Sequence, residues 1–174
     1  MRVIGGEFRS RRLKSLPGLD TRPTPDRLRE TLFNVLAARV ADAVFMDIYA
    51  GTGAVGIEAL SRGARRCVFI EKDRRAVEVI RENLATLGLE SRAEVFTGKP
   101  ATVLERAHAD LVFLDPPYEM SKEYEATMSA LDRAETPLAI VQHSSRAKLA
   151  DAYGGLSRYR MIKQGDNCLS FYAR

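Results

Sequence analysis

Three short runs share one form. Val44-Phe45-Met46-Asp47, Val68-Phe69-Ile70-Glu71 and Val112-Phe113-Leu114-Asp115 are apolar triplets that each end in a carboxylate. An unbroken apolar triplet predicts a strand covered on both faces, as in a parallel sheet flanked by helices. Around these runs the hydrophobic period becomes helical, near 54–62, 74–87 and 100–107. The second segment is the best defined, with Asp73 as its cap and Val77, Ile80, Leu84 and Leu87 on one face. Further strands are predicted near 93–97, 137–142, 157–163 and 168–173, and Gln164-Gly165-Asp166-Asn167 joins the last two as an antiparallel hairpin. Upstream, Thr24 is the expected N-cap of a helix with Pro25 in its first turn. Leu28, Leu32, Val35 and Leu36 form its apolar face, and Arg27, Glu30 and Asn34 a second stripe. Residues 3–8 and 12–16 read as a short basic hairpin that Pro17-Gly18 ends. The expected fold is α/β: a doubly wound sheet of seven strands, mostly parallel, closing in a C-terminal antiparallel hairpin. A basic N-terminal arm, residues 1–20, precedes this domain of residues 21–174.

Charge sharpens that division. Residues 1–14 carry Arg2, Arg9, Arg11, Arg12 and Lys14 against Glu7 alone. Removing these five bases and one acid from the chain's 27 and 23 leaves 22 of each, so the whole excess of +4 lies in the arm. Such a patch suits phosphate contact, and a solvated tail is the plain alternative. Hydrophobic residues make up 45% of the chain and no apolar run exceeds four residues, which predicts a cytoplasmic globular protein without membrane span or signal-peptide core. Cys67 and Cys168 sit in separate strand-like segments and read as buried, reduced thiols.

In a doubly wound sheet ligands bind beyond the carboxyl ends of the strands, so Asp47, Glu71 and Asp115 should share one crevice. Gly51-Thr52-Gly53-Ala54-Val55-Gly56 matches G-x-G-x-x-G, and Glu71 follows Gly51 by 20 residues, the spacing of a dinucleotide fingerprint. NAD is therefore one candidate cofactor. S-adenosyl-L-methionine is favoured, because Asp47 puts negative charge close to the turn where a pyrophosphate would sit, whereas a sulfonium and an ammonium group suit such acids. The candidate cofactor residues are Asp47, Tyr49, Ala50, Gly51, Thr52, Gly53, Glu71 and Lys72, with Asp47 on the ammonium side and Glu71 on the ribose hydroxyls.

Asp115-Pro116-Pro117-Tyr118 follows a buried strand, and its four residues are the candidate catalytic group. Two prolines stiffen the loop and remove two backbone donors, leaving carbonyl acceptors. Asp115 adds acceptor oxygens and Tyr118 a stacking face, an arrangement suited to the exocyclic amine of a base. Accepting both N–H bonds favours a pyramidal nitrogen with a localised lone pair, and an anionic Asp115 stabilises the positive charge that develops there. A plain stiff loop is the alternative. No covalent nucleophile or metal is required, and His108 and His143 lack ligand-like spacing.

Together these residues resemble the RsmD family of 16S ribosomal RNA methyltransferases over almost the whole chain. Its matching stretches are Met1-Arg2-Val3-Ile4-Gly5-Gly6, Arg22-Pro23-Thr24, Arg27-Leu28-Arg29-Glu30-Thr31-Leu32-Phe33-Asn34 and residues 47–56. Glu58-Ala59-Leu60-Ser61-Arg62-Gly63-Ala64, Glu71-Lys72-Asp73, Asn83-Leu84 and residues 115–118 complete the match. The resemblance implies the class I methyltransferase fold, S-adenosylmethionine as methyl donor and a guanine N2 in 16S rRNA as acceptor. It also implies a substrate within an assembled or partly assembled small ribosomal subunit. Arg2, Arg9, Arg11, Arg12, Lys14, Arg22 and Arg27 are the expected RNA contacts, and a monomer is the default state. One departure stands out: Val95-Phe96-Thr97-Gly98-Lys99-Pro100 has no acid where the family often places one against adenine, so backbone groups are expected there. The tetrapeptide alone equally permits a DNA adenine or cytosine amino-methyltransferase. A catalytically idle RNA-binding factor and an NAD-dependent oxidoreductase are the other readings.

Overall fold

The computed structural model describes residues 1–16, 24–104, 106–117 and 121–174. Helix α1 (Asp26–Leu36) leads through a 3₁₀ turn to β1 (Val44–Ile48), which α2 (Ala54–Ser61), β2 (Arg66–Glu71), α3 (Arg74–Leu87) and β3 (Ala93–Thr97) follow. Then come α4 (Pro100–Leu104), β4 (Leu111–Leu114), α5 (Ser121–Arg133) and β5 (Leu138–Ser144). Three antiparallel strands, β6 (Ala152–Tyr153), β7 (Leu156–Gln164) and β8 (Asn167–Ala173), end the chain.

One sheet results, in the order β3-β2-β1-β4-β5-β8-β7-β6. Its first five strands are parallel, and the last three alternate in direction. The seven expected strands are present, and the eighth is the two-residue β6, too short to leave a period in the sequence. The order reverses between β1 and β4, and this switch point opens the crevice at their carboxyl ends. Alternate strand residues fill two cores. Phe45, Phe69, Phe113, Ile140 and Phe171 pack with Leu32, Phe33 and Ile80 on one face. Met46, Ile70, Val112, Leu114 and Tyr172 pack with Tyr124, Met128 and Leu131 on the other.

Local chemistry explains most boundaries. Asp73 caps α3 by accepting from the Arg75 N–H at 2.9 Å, and Gly88 ends the helix in the left-handed region at φ 67°. At the other end of the chain, Thr24 is not the N-cap of α1. That position belongs to Pro25, with no side-chain cap, and the Thr24 hydroxyl donates instead to Gln142 Oε1 at 3.1 Å. The hairpin expected in the arm is a single antiparallel bridge, Arg2 to Arg12, flanked by bonds from Val3 N to Arg11 O and Leu13 N to Met1 O. The turn between them cannot extend as strand because it wraps the C-terminal half of α2. Gly6 (φ 78°) lies so close that a Cβ would stand 1.9 Å from the Ser61 carbonyl oxygen. Helix α5 has no counterpart in the sequence reading, although Tyr124, Thr127, Met128 and Leu131 are buried along one of its faces. Among the described residues no helix is long and apolar enough to cross a membrane.

Candidate active site

The parallel register brings the three acids of the triplets to neighbouring strands. Asp47 lies on β1 opposite Phe69 of β2 and Phe113 of β4, while Glu71 ends β2 and Asp115 follows β4. Asp47 is 2% exposed, and its Oδ2 accepts the Gly56 N–H at 2.8 Å, in the first turn of α2. A carboxylate therefore already occupies the helix end where a dinucleotide would place its pyrophosphate. Burial raises the Asp47 carboxyl well above its ordinary range; the Gly56 bond opposes this, and the charges of Asp115 and Glu71 add to it. Asp115 is pushed up to about 8, by burial. Two carboxyls that burial holds toward the neutral form ionise most readily beside a cation, so the edge gains from a cation and nothing from an anion.

The glycine turn lies above this row. Gly51 and Gly53 take positive φ of 56° and 80°, and Tyr49 does too at 62°, a conformation costing a tyrosine on the order of 1 kcal/mol. Its hydroxyl, shared with Thr127 at 2.8 Å and Glu123 at 3.0 Å, ties the strained residue to α5. The side chain thus faces α5, leaving the Tyr49 and Ala50 backbone at the strand edge. Gly56 serves packing: a Cβ there would stand 2.3 Å from the Phe69 ring, so only glycine lets α2 approach β2. Glu71 accepts from Gly51 N at 2.8 Å through Oε2, and from Lys72 N at 2.8 Å and Asp73 N at 2.9 Å through Oε1. Three of its roughly four lone-pair sites are taken, so one remains at Oε2 for a hydroxyl donor. The expectation that it serves two ribose hydroxyls requires release of a backbone bond. The Lys72 side chain is exposed, as is Lys99 beyond β3.

Beside Asp115, Pro116 is buried and Pro117 exposed. The Tyr124 hydroxyl donates a long hydrogen bond, 3.4 Å, to the Pro116 carbonyl oxygen, which keeps a second lone pair for another donor. Tyr118, like Arg22, lies outside the described residues. His143 is held between Ser170 Oγ at 2.8 Å and the Ser144 carbonyl at 2.9 Å, and burial lowers its pKa; His108 is exposed. Both thiols are buried and free.

The arm's bases stand at a second surface. Arg2, Arg9 and Arg27 line a cavity of about 300 Å³ with Asp26 and Glu30. Arg11, Arg12 and Lys14 are exposed. Among the described residues no ion pair holds Arg9, Arg11, Arg12 or Arg27, whereas Arg2 pairs with Asp26 at 3.7 Å and Lys14 with Glu82 at 2.8 Å. The cavity's lining of opposed charges offers no reacting group.

Sequence reasoning gave no role to the residues that hold the arm. Glu58, fully buried on α2, accepts Ile4 N and Gly5 N at 2.8 Å each and Arg62 Nε at 2.7 Å. The guanidinium of Arg29, also fully buried, lies 3.9 Å from Glu58 and donates to the Arg2 carbonyl at 2.6 Å and to Asp26 at 3.0 Å. Its Nε and Nη1 have no hydrogen-bond partner among the described residues. Ser61 accepts Phe8 N at 3.0 Å and donates to the Gly5 carbonyl at 2.6 Å. Asn83, on α3, binds Lys14. The only signal for these residues was their place in the blocks that resemble a known family.

Comparison with known proteins agrees with this anatomy. A family described as conserved hypothetical protein 95 matches residues 1–173. "Putative rRNA methyltransferase YlbH" of Bacillus subtilis is 32% identical over 183 residues, covering 100% of this chain and 99% of that protein. Ribosomal RNA small subunit methyltransferase D of Escherichia coli is 43% identical over 121 residues, covering 68% of this chain and 60% of that one. Among solved structures, "Putative methyltransferase yhhF" from Escherichia coli superposes with a TM-score of 0.85 at 35% identity, covering 100% of this chain and 97% of that chain. The chain therefore belongs to the conserved hypothetical protein 95 family, the RsmD family, and has the class I fold of S-adenosylmethionine-dependent methyltransferases.

Proposed function

We propose that this protein transfers a methyl group from S-adenosyl-L-methionine to the N2 amine of a guanine in 16S ribosomal RNA, on an assembled or partly assembled small subunit. The observation carrying this reading is the capping of the α2 N-terminus by Asp47 beside Asp115, which suits a cationic cofactor and disfavours a pyrophosphate. S-adenosylmethionine, when bound, supplies an electrophilic methyl on a sulfonium. Asp47 faces its ammonium side, Gly51, Thr52 and Gly53 allow close backbone approach, and Glu71 accepts a ribose hydroxyl through its remaining lone pair. Tyr49 and Ala50 contribute backbone, and Lys72 flanks the ribose side.

At the acceptor, Asp115 and the Pro116 carbonyl take the two amine N–H bonds, Pro117 stiffens the loop and Tyr118 stacks on the extruded base. A positive charge brought close to Asp115 favours its carboxylate, which then stabilises the charge developing on the nitrogen without reorganising. Arg2, Arg9, Arg11, Arg12, Lys14, Arg22 and Arg27 hold the RNA backbone. The names of the relatives support rRNA as substrate class; the N2 position rests on the amine-binding chemistry and the family resemblance. The test is labelled methyl transfer onto small subunits from cells lacking this protein, followed by mapping of the product. Incorporation at a single guanine N2 is expected. Incorporation only into duplex DNA, or none with folded protein, overturns the proposal.

A further inference from the structure

The side chain of Asn83 joins two parts of the molecule that the proposed function uses separately. It is 2% exposed near the end of α3, where a buried amide is costly unless its groups are bonded. Its Oδ1 accepts the Lys14 N–H at 2.7 Å, and its Nδ2 donates to the Lys14 carbonyl at 3.2 Å. The amide thus pairs with a single peptide residue of the arm as a neighbouring strand would. The same Nδ2 donates to the Thr52 carbonyl at 3.2 Å, in the middle of the glycine turn. A reversed amide would face an N–H with a donor and two carbonyls with an acceptor, so the network fixes the orientation. One helical turn earlier, Ile80 lies 3.2 Å from where a Gly53 Cβ would be, so α3 also braces the turn by packing. Lys14 Nζ reaches Glu82 at 2.8 Å and Leu13 is buried, which fixes the arm's end to the same helix.

We infer that Asn83 is a positioning residue that couples the basic arm to the glycine turn, so that RNA and S-adenosylmethionine strengthen each other's binding. The inference rests on the proposed function, with the arm as RNA contact and the turn as cofactor contact. A phosphate drawn to Arg11, Arg12 and Lys14 stabilises the bonded arrangement of the Lys14 peptide, and with it that of the Asn83 amide and the Thr52 carbonyl. Cofactor seated on the turn acts along the same bonds in reverse, and the two factors must be equal.

The experiment measures the Kd of S-adenosylhomocysteine by equilibrium dialysis, with and without saturating small subunits from cells lacking this protein. In the wild type, subunits should tighten it by about fivefold or more, the lower end of ordinary coupling. In Asn83→Ala the ratio should fall to near one while each ligand still binds. A purely structural asparagine would lower the melting temperature and weaken both ligands with the ratio intact, and that result overturns the inference, as does a ratio of one in the wild type. Should Asn83→Ala not fold, hydrogen exchange on the wild type decides. S-adenosylhomocysteine alone must slow exchange of the Lys14 amide, and an unchanged rate overturns the coupling. If subunits are bound and methylated but the ratio is one, only the coupling fails. If neither ligand binds, the proposed function itself fails.

Discussion

Replacing Asp115 by Asn should make the protein more stable and less active, and the size of the gain follows from the site. Burial raises this carboxyl from its ordinary 3.8 to about 8. At pH 7 the unfolded chain has released the proton and the folded chain holds it. Each unit of pH between the two values shifts the balance toward the unfolded state by about 1.36 kcal/mol. From 3.8 to pH 7 the sum reaches roughly 4 kcal/mol, an upper bound for a partly exposed side chain in a relaxing crevice. About 2 kcal/mol is a fair expectation, or about 4–8 °C in melting temperature for a chain of this size. The sign is opposite to that of a salt-bridged carboxylate. The Asp115 contribution to stability is most favourable below pH 3.8, falls as pH rises toward 8, and levels off once the folded state ionises too.

The assay is thermal melting of wild type and Asp115→Asn between pH 5 and 9. Asparagine keeps the shape and cannot ionise, so the variant's advantage should grow with pH and become flat near 8. An advantage independent of pH, or a less stable variant, would refute the burial argument. Cofactor binding provides the functional half. The sulfonium of S-adenosylmethionine favours the ionised form while neutral S-adenosylhomocysteine does not. The affinity ratio of the two should therefore rise through pH 7–8 in the wild type and stay level in the variant. Methyl transfer should fall by on the order of 10²–10³; full turnover would remove Asp115 from the chemistry.

Two further outcomes follow from the arm. Glu58→Gln puts an amide donor against the N–H of either Ile4 or Gly5 and leaves the buried Arg29 with Asp26 as its remaining counter-charge, a loss of about 3–5 kcal/mol in denaturant unfolding; under 1 kcal/mol would mean that the arm is held elsewhere. Replacing Arg9, Arg11 and Arg12 together should leave melting unchanged and flatten the log–log salt dependence of RNA binding by about 0.7 per lost phosphate contact, and an unaltered slope would make the arm's charge a solvating one.

The sequence revealed elements wherever one strong signal sufficed. β3 agrees with its expected range, and α3 runs 74–87 as its period and Asp73 imply, because an apolar stripe and a cap suffice there. Helix α5 was missed because its inner face mixes Tyr124 and Thr127 with two aliphatic positions, and its partners lie on distant strands. Arg29 and Glu58 were invisible for another reason. Charged side chains read as surface, and Glu58 with Arg62 four residues on resembles an ordinary exposed helix pair. Only the fold shows that Glu58 grips backbone 53 and 54 residues earlier in the chain.

That grip bears on why the Arg27–Asn34 and Glu58–Ala64 blocks carry the family likeness although neither holds a candidate reacting group. A mobile basic arm would attract any polyanion and place nothing. Here the arm's turn is bonded to Glu58 and Ser61, the Arg2 carbonyl to Arg29, and the arm's end to Asn83. Arg29 Nε and Nη1, buried without a hydrogen-bond partner among the described residues and with the Glu58 carboxylate 3.9 Å from Nε, are a cost that loose attachment would never have to bear. These attachments fix the backbone that carries the arm's five charges relative to the glycine turn and, through β1, to Asp115. On the proposed function, that placement lets an edge chemically suited to many amines act on one.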